Sequence, residues 1–338
     1  MIRLIKAIDA HVGGQPLRLI VEGFPRPHGR TLTLQREWFR KNADALRRAV
    51  VLPPRGHADM TAAFLTEPLS TQAHAGIVLM NTAGYPSMSG HGIIGATTIA
   101  LERALIFSRD VDEAQAPLIF ETPAGLVRAR ARLIAQGDTR RVDAVAMTNV
   151  PAFVHAASEA VKIGTRQLRV DVAFGGAFFA IVDTEATGIP LIAERLPDLR
   201  RMGVEICASL AATVVPEHPA DPNVAGISGV VFTGPPQDPE AHLRNVTVDA
   251  AGAVDVSASA TATSAVMAVL DAMGLLPDGE PFVHEGLSGE LLRGRVAGRS
   301  RVGDNSALVT EIEGSAWITG EHTFLLDEDD PCRAGLSL

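Results

Sequence analysis

Two stretches of this chain stay apolar or small around the full turn of a helix. Residues 91 to 105, HGIIGATTIALERAL, carry no formal charge before Glu102 and Arg103, and residues 262 to 276, ATSAVMAVLDAMGLL, carry one, Asp271. A helix that is apolar on every side, yet shorter than the roughly 18 residues needed to span a bilayer, is buried on every side. The pattern therefore predicts one central helix, inside a sheet or barrel, in each half of the chain. Around these helices the hydrophobic period changes. MIRLIKAIDAH reads as a strand, and residues 34 to 49 and 198 to 213 read as amphipathic helical stretches.

The halves match in more than their helices. Asp9-x-His11-x-Gly13-Gly14, followed by apolar Leu19-Ile20-Val21, corresponds to Asp171-x-Ala173-x-Gly175-Gly176, followed by Ala180-Ile181-Val182. Each reads as a strand, a glycine pair where the backbone bends, and a second strand. Ser89-Gly90-His91-Gly92-x-x-Gly95 corresponds to Ser259-Ala260-Thr261-Ala262-x-x-Ala265, and Phe120-Glu121-x-x-x-Gly125 to His284-Glu285-x-x-x-Gly289. The displacements are 162, 170 and 164 residues, in the same order. Three matches in register indicate a duplicated fold. Ser89 and Ser259 then stand at the N-termini of the two buried helices, where free N–H groups and the positive dipole end favour a carboxylate. On pattern alone the two serines read equally well as plain N-caps.

Composition removes several functions. The 338 residues carry a net charge of −9 and only 4% aromatics, with no basic stripe, which argues against nucleic acid. No run reaches the length of a membrane span, and Cys207 and Cys332 are too few for a disulfide framework. A soluble, cytoplasmic protein is expected, with the two cysteines as packing residues. The only lysines are Lys6, Lys41 and Lys162, the last in a turn-like stretch, and none suits a pyridoxal Schiff base. There is no phosphate-cradling glycine motif and no zinc spacing among the histidines. The acidic run Asp327 to Asp330 reads as a solvated loop.

The segment Asn81-Thr82-Ala83-Gly84-Tyr85-Pro86-Ser87-Met88-Ser89-Gly90-His91-Gly92 resembles the proline racemase family, which includes 4-hydroxyproline epimerases and trans-3-hydroxyproline dehydratases. The likeness continues through His11-x-Gly13-Gly14-x-Pro16-x-Arg18, Glu121 to Gly125, Asp255 to Ala265 and Gly314 to Gly320. It implies an α+β fold of two pseudo-symmetric domains of the diaminopimelate epimerase-like type, with the active site in the cleft between them. The expected domains are residues 1–150 with a C-terminal segment from about 320 to 338, and residues 151–319. Carried over position by position, the resemblance makes Ser89 and Ser259 the two residues that handle the substrate Cα proton, where the family commonly has cysteine. It places the substrate carboxylate and ring at Gly90 with His91 and at Ala260 with Thr261, and the amine near Asp255. It implies no cofactor and no metal, a small-molecule partner of the proline or hydroxyproline type, and it admits a homodimer.

This chain departs from the family pattern at both thiols, at Val256-Ser257-Ala258 in place of R-S-P, at Ala260 and Ala262 in place of glycines, and at Gln15. Alanine is tolerated at the glycine positions only where φ is negative. A serine hydroxyl is a far weaker acid than a thiol of pKa near 8.5, and each pKa unit is worth about 1.4 kcal/mol. A racemase must remove a proton on one face and deliver one on the other, so losing both thiols harms it most. Dehydration needs one base and one acid, and the dehydratase branch resembles this chain in keeping a hydroxyl residue at the second position. The expected reaction is cofactor-independent dehydration of trans-3-hydroxy-L-proline. The alternatives are a 4-hydroxyproline 2-epimerase or proline racemase, and a pseudoenzyme that binds a cyclic amino acid without turnover. A serine hydrolase lacks its G-x-S-x-G elbow here.

Overall fold

The computed structural model describes residues 2–106, 117–136, 139–276 and 279–336; Met1 and the last two residues of the expected C-terminal segment lie outside them. The chain forms two compact units, Met1–Met147 with Ser315–Leu338, and Thr148–Gly314.

The first unit contains β1 (Ile2–Val12), β2 (Gln15–Glu22), β3 (Thr61–Thr66), β4 (Ala75–Asn81), β5 (Leu118–Thr122), β6 (Gly125–Gln136), β7 (Thr139–Thr148) and β19 (Ala316–Asp327), with helices α1 (Leu32–Asn42), α2 (Asp44–Val51) and α3 (Gly90–Glu102). Strands pair in the order β19–β1–β2–β3–β4–β5–β6; the β2–β3 and β4–β5 contacts are parallel and the rest antiparallel. Between β1 and β2 the chain turns on Gly13 and Gly14, at φ 58° and 84°, a left-handed pair that favours glycine. The sheet is covered on both faces, so β4 is apolar at consecutive positions rather than alternate ones. Val78 and Met80 meet the α1 and α2 side, while Leu79 faces α3, where Gly92 leaves no room for a side chain. Every residue of α3 from Gly90 to Ala100 is buried.

The second unit contains β8 (Phe153–Ile163), β9 (Arg166–Phe174), β10 (Phe178–Asp183), β11 (Glu217–His218), β12 (Asp221–Ala225), β13 (Ile227–Gly234), β14 (Leu243–Asp249), β15 (Val254–Asp255), β16 (Phe282–Gly286), β17 (Leu291–Val302) and β18 (Asn305–Gly314), with α4 (Thr184–Thr187), α5 (Leu196–Ala211) and α6 (Ala260–Ala272). The order is β8–β9–β10–β13–β14–β16–β17–β18, with parallel contacts at β10–β13 and β14–β16. The six contacts from β19 to β6 and the six from β8 to β17 thus run through the same sequence of parallel and antiparallel pairs. Leu199, Ile206, Cys207 and Leu210 of α5 cover one face. Burial pushes the Cys207 thiol up to about 12, which leaves it a packing residue. The other helix, α6, is buried from Ala260 to Val269. Gly175 sits so close to it that a Cβ would lie 2.2 Å from the Thr261 carbonyl oxygen. The fold is α+β, duplicated, with one buried helix per unit.

Several elements differ from the sequence reading. The stretch 34 to 49 is two helices, broken at Ala43 (φ −137°, ψ 14°), with no glycine or proline to announce the break. The central helices stop short of 105 and 276. Left-handed Ala104 and Gly274 end them, and the Leu105 and Leu275 amides reach back to the Ala100 and Leu270 carbonyls, a Schellman pattern in both copies. The apolar run continues past each end, but Leu275 is 61% exposed. The stretch around Lys162 does hold a turn, at Gly164 and Thr165, with Lys162 itself at the end of strand β8, paired opposite Gln167.

Candidate active site

In the first unit the loop from β4 into α3 is held from the side. Arg47, itself buried, donates to the Asn81 and Thr82 carbonyls at 2.7 and 2.9 Å, and the Asn81 side chain accepts the amides of Ala83 and Gly84. This delivers Ser89 to the helix start in extended conformation (φ −150°, ψ 117°), with its hydroxyl accepting the Gly92 amide at 3.2 Å. The same oxygen lies 3.2 Å from His91 Nδ1, and both side chains are 8% exposed. The Gly92 N–H takes one of the two acceptor sites, and the histidine tautomer sets the direction of the other contact: with the ring proton on Nε2, Ser89 donates to His91 Nδ1. Gly90 and His91 are the first residues of α3, where backbone amides have no partner inside the helix.

The second unit builds its helix start differently. Ser259 is at φ 52°, ψ 110°, and its hydroxyl caps nothing. Left-handed backbone costs a non-glycine residue roughly 1–2 kcal/mol, and the surroundings hold it there. The Ser259 amide donates to Ser257 Oγ at 3.1 Å, and the Ser257 hydroxyl donates in turn to Asp255 Oδ1 at 2.6 Å. Asp255 also accepts the Ser257 amide at 3.0 Å. Gly286 crosses beneath this loop, where a Cβ would lie 2.7 Å from three of its backbone atoms. On the helix side the Ser259 carbonyl accepts the Thr263 amide at 2.7 Å. Ser259 is 6% exposed, and within its unit its hydroxyl meets that of Thr261 at 3.4 Å. Ala260 and Ala262 are helical, so the negative φ that alanine needs is met, and the positive φ falls on Ser259 instead.

The expected residues thus gather into two clusters: Ser89, Gly90 and His91 at the start of α3, and Asp255, Ser259, Ala260 and Thr261 at the start of α6. Sequence reading missed what supports them. The two glutamates of the third repeat fasten loops: Glu121 accepts the amides of Leu69 and Ser70, and Glu285 those of Gln237 and Asp238. His74 and His242 do the same for strand ends, each ring accepting the amide of Ile119 or Val283. The available signal was a histidine pair 168 residues apart, within the range of the repeat displacements. Ser257, the link between Asp255 and Ser259, was passed over as part of a departure from the family motif.

Among the described residues no three His, Cys, Asp or Glu side chains come together as a metal site, and Lys6, Lys41 and Lys162 are all exposed. Among them also, no helix is long and apolar enough to cross a membrane. Asp330 of the acidic run pairs with Arg55 at 2.8 Å, and that guanidinium, after the Cys332 amide, holds its carboxyl below the usual range.

The family model for proline racemase matches residues 7–337. The chain is 33% identical to a proline racemase of Acetoanaerobium sticklandii and 35% identical to a trans-3-hydroxy-L-proline dehydratase of Bacillus cereus, each over 99% of this chain and 98% of that protein. A crystal structure of a hydroxyproline epimerase from Agrobacterium vitis, with bound trans-4-hydroxy-L-proline, superimposes with a TM-score of 0.90 at 28% identity, covering 99% of this chain and 96% of the other. Racemase, epimerase and dehydratase thus share this fold and this sequence pattern, and the chain belongs to the proline racemase family.

Proposed function

We propose that this protein dehydrates trans-3-hydroxy-L-proline, with Ser89 and His91 as a paired base and Ser259 as the acid on the other side of the substrate. The observation that carries the reading is an inequality. An imidazole lies 3.2 Å from the Ser89 hydroxyl, whereas Ser259 has another hydroxyl, 3.4 Å away. An unassisted serine is a poor base, but one that hands its proton to a neutral imidazole as it takes another is not. Racemisation in both directions needs such an arrangement on both faces; elimination needs it on one.

Ser89 Oγ takes the Cα proton while its own proton passes to His91 Nδ1. The Cα–H electron pair becomes the Cα–C3 double bond, and the C3–O bond breaks. The water formed at the leaving oxygen and a serine hydroxyl are both very weak acids of similar strength, so Ser259 can share its proton with the leaving oxygen. The proton held by His91 then returns through solvent to restore Ser259. Water leaves, and the enamine tautomerises to the imine, pyrroline-2-carboxylate. The backbone amides at the two helix starts suit the substrate carboxylate, and Asp255 suits its amine.

The test is incubation in deuterated water with L-proline, trans-4-hydroxy-L-proline and trans-3-hydroxy-L-proline, following water loss by reductive trapping of the imine and deuterium at Cα. The reading expects imine from the 3-hydroxy substrate and little exchange into the others. Inversion at Cα without imine would make the chain an epimerase instead. Binding of all three with neither outcome would make it a non-catalytic binder.

A further inference from the structure

Behind the two serines the copies of the fold disagree at three buried positions. The register of β4 with β5, and of β14 with β16, sets the correspondence: Ala75 is opposite Phe120, and Leu243 is opposite His284. Ile77, Ile93 and Phe120 in the first unit therefore match Asn245, Thr263 and His284 in the second. All six are wholly buried. Three apolar residues have become three polar ones.

Two of the polar three bond one atom, and the third bonds one of those two. Asn245 Nδ2 and Thr263 Oγ1 donate to the Ala258 carbonyl at 2.9 and 3.0 Å. His284 Nδ1 lies 2.9 Å from Thr263 Oγ1. The threonine has a single proton and gives it to Ala258, so it accepts from His284, which is then neutral with its proton on Nδ1. Full burial, which pushes this histidine down to about 3, keeps it so. The arrangement is not one that stability would choose. Among the described residues Asn245 Oδ1 and His284 Nε2 have no hydrogen-bond partner, a cost that an apolar set of similar volume avoids. The first unit shows that the fold closes around such a set.

What the network reaches is the peptide immediately before Ser259. We infer that Asn245, Thr263 and His284 are positioning residues: by fixing the Ala258 carbonyl they hold Ser259 in its left-handed conformation and keep its hydroxyl turned away from the helix cap, available to substrate. The inference rests on the role proposed for Ser259 above. It explains in one device why Ser259 is strained, why it does not cap, and why polar groups are buried where the sister unit has isoleucine and phenylalanine.

The test is Thr263→Val, with Thr263→Ser as the rescue and Asn245→Leu as a second route to the same carbonyl. In the Val variant kcat for dehydration, per folded protein, should fall about 10²-fold, as for a displaced catalytic group, with KM little changed and the melting temperature lowered by the His284 N–H left unpaired, and the Ser variant should recover both. Loss of activity only in proportion to loss of folded protein, or no recovery with serine, would overturn the inference. A crystal structure of the Val variant decides independently of turnover. Ser259 should relax to negative φ and accept the Ala262 amide, as Ser89 accepts that of Gly92. If wild type turns over no proline derivative, the proposed function fails, and this structure still judges the network: an uncapped Ser259 kept at positive φ refutes it. Should the Val variant not fold, Asn245→Leu is read by the same two measurements.

Discussion

At the start of α3, Ser89 behaves as a serine at a helix end ordinarily does, extended and bonded to the third amide of the helix, with His91 added beside it. At the start of α6, Ser259 gives up the cap, takes a positive φ, and is surrounded by Ser257, Asp255 and the polar network through Ala258. The helices behind them are equal in length, similarly buried and closed by the same C-terminal pattern. Duplication has kept the scaffold and let the first turn diverge. On the proposed mechanism, the differing neighbours of each hydroxyl are what make one helix end a base and the other an acid.

The largest effects should come from removing the hydroxyls one at a time. Ser89→Ala should abolish both Cα exchange and dehydration, by about 10³-fold or more for a lost general base. Ser259→Ala should lower dehydration by a similar factor while leaving measurable deuterium exchange at Cα. Equal loss of both reactions in both variants would mean that the two serines are equivalent, and the division of labour would be wrong.

The loop-fastening glutamates extend the comparison to stability. Glu285 is 2% exposed and lies 3.4 Å from the Arg244 guanidinium, which is also buried. Glu121 is only partly buried. Glu285→Ala strands a buried cation and should cost about 3–5 kcal/mol. Glu121→Ala loses hydrogen bonds in a wetter place and should cost about 1–2 kcal/mol. Urea unfolding of the two variants measures the gap, and indistinguishable midpoints would show that burial at Glu285 is not what sets its worth.

How much of this was legible beforehand follows from what a repeat comparison can detect. It finds sameness, and so it found the two buried helices, the serines at their starts and the glutamates. It passes over places where the copies differ, and Asn245, Thr263 and His284 are visible only as differences from Ile77, Ile93 and Phe120. The positive φ at Ser259 had no signature, because the residue that would announce it, glycine, is absent. The division of the stretch 34 to 49 into α1 and α2 was hidden for the same reason at Ala43. Hydrogen bonds such as Ser257 to Asp255 depend on a loop geometry that spacing does not specify.

A smaller effect should follow from His91. His91→Phe removes the acceptor beside Ser89 while keeping a flat ring. Cα exchange should fall about 10²-fold, and binding of the planar analogue pyrrole-2-carboxylate, read as a thermal shift, should persist. If the variant exchanges as fast as wild type, the base is something other than the Ser89–His91 pair.

The smallest effect concerns pH and contrasts His284 with its counterpart Phe120. Burial lowers His284 from 6.5 to about 3 in the folded protein. The unfolded chain therefore binds a proton between those two values that the folded chain does not. By linkage, stability is complete above pH 6.5 and declines as the pH falls toward 3. At pH 5 the loss from this one group is about 2 kcal/mol, at 1.4 kcal/mol per pH unit. His218, also lowered by burial, adds to the same slope. In His284→Phe the second unit carries what the first already has at that position, and its share of the slope should vanish. Measured by urea unfolding, the variant should gain on wild type by about 2 kcal/mol between pH 7 and pH 5. Parallel pH curves for the two proteins would mean that His284 takes up its proton without unfolding, which a ring with a bare, buried Nε2 should not do.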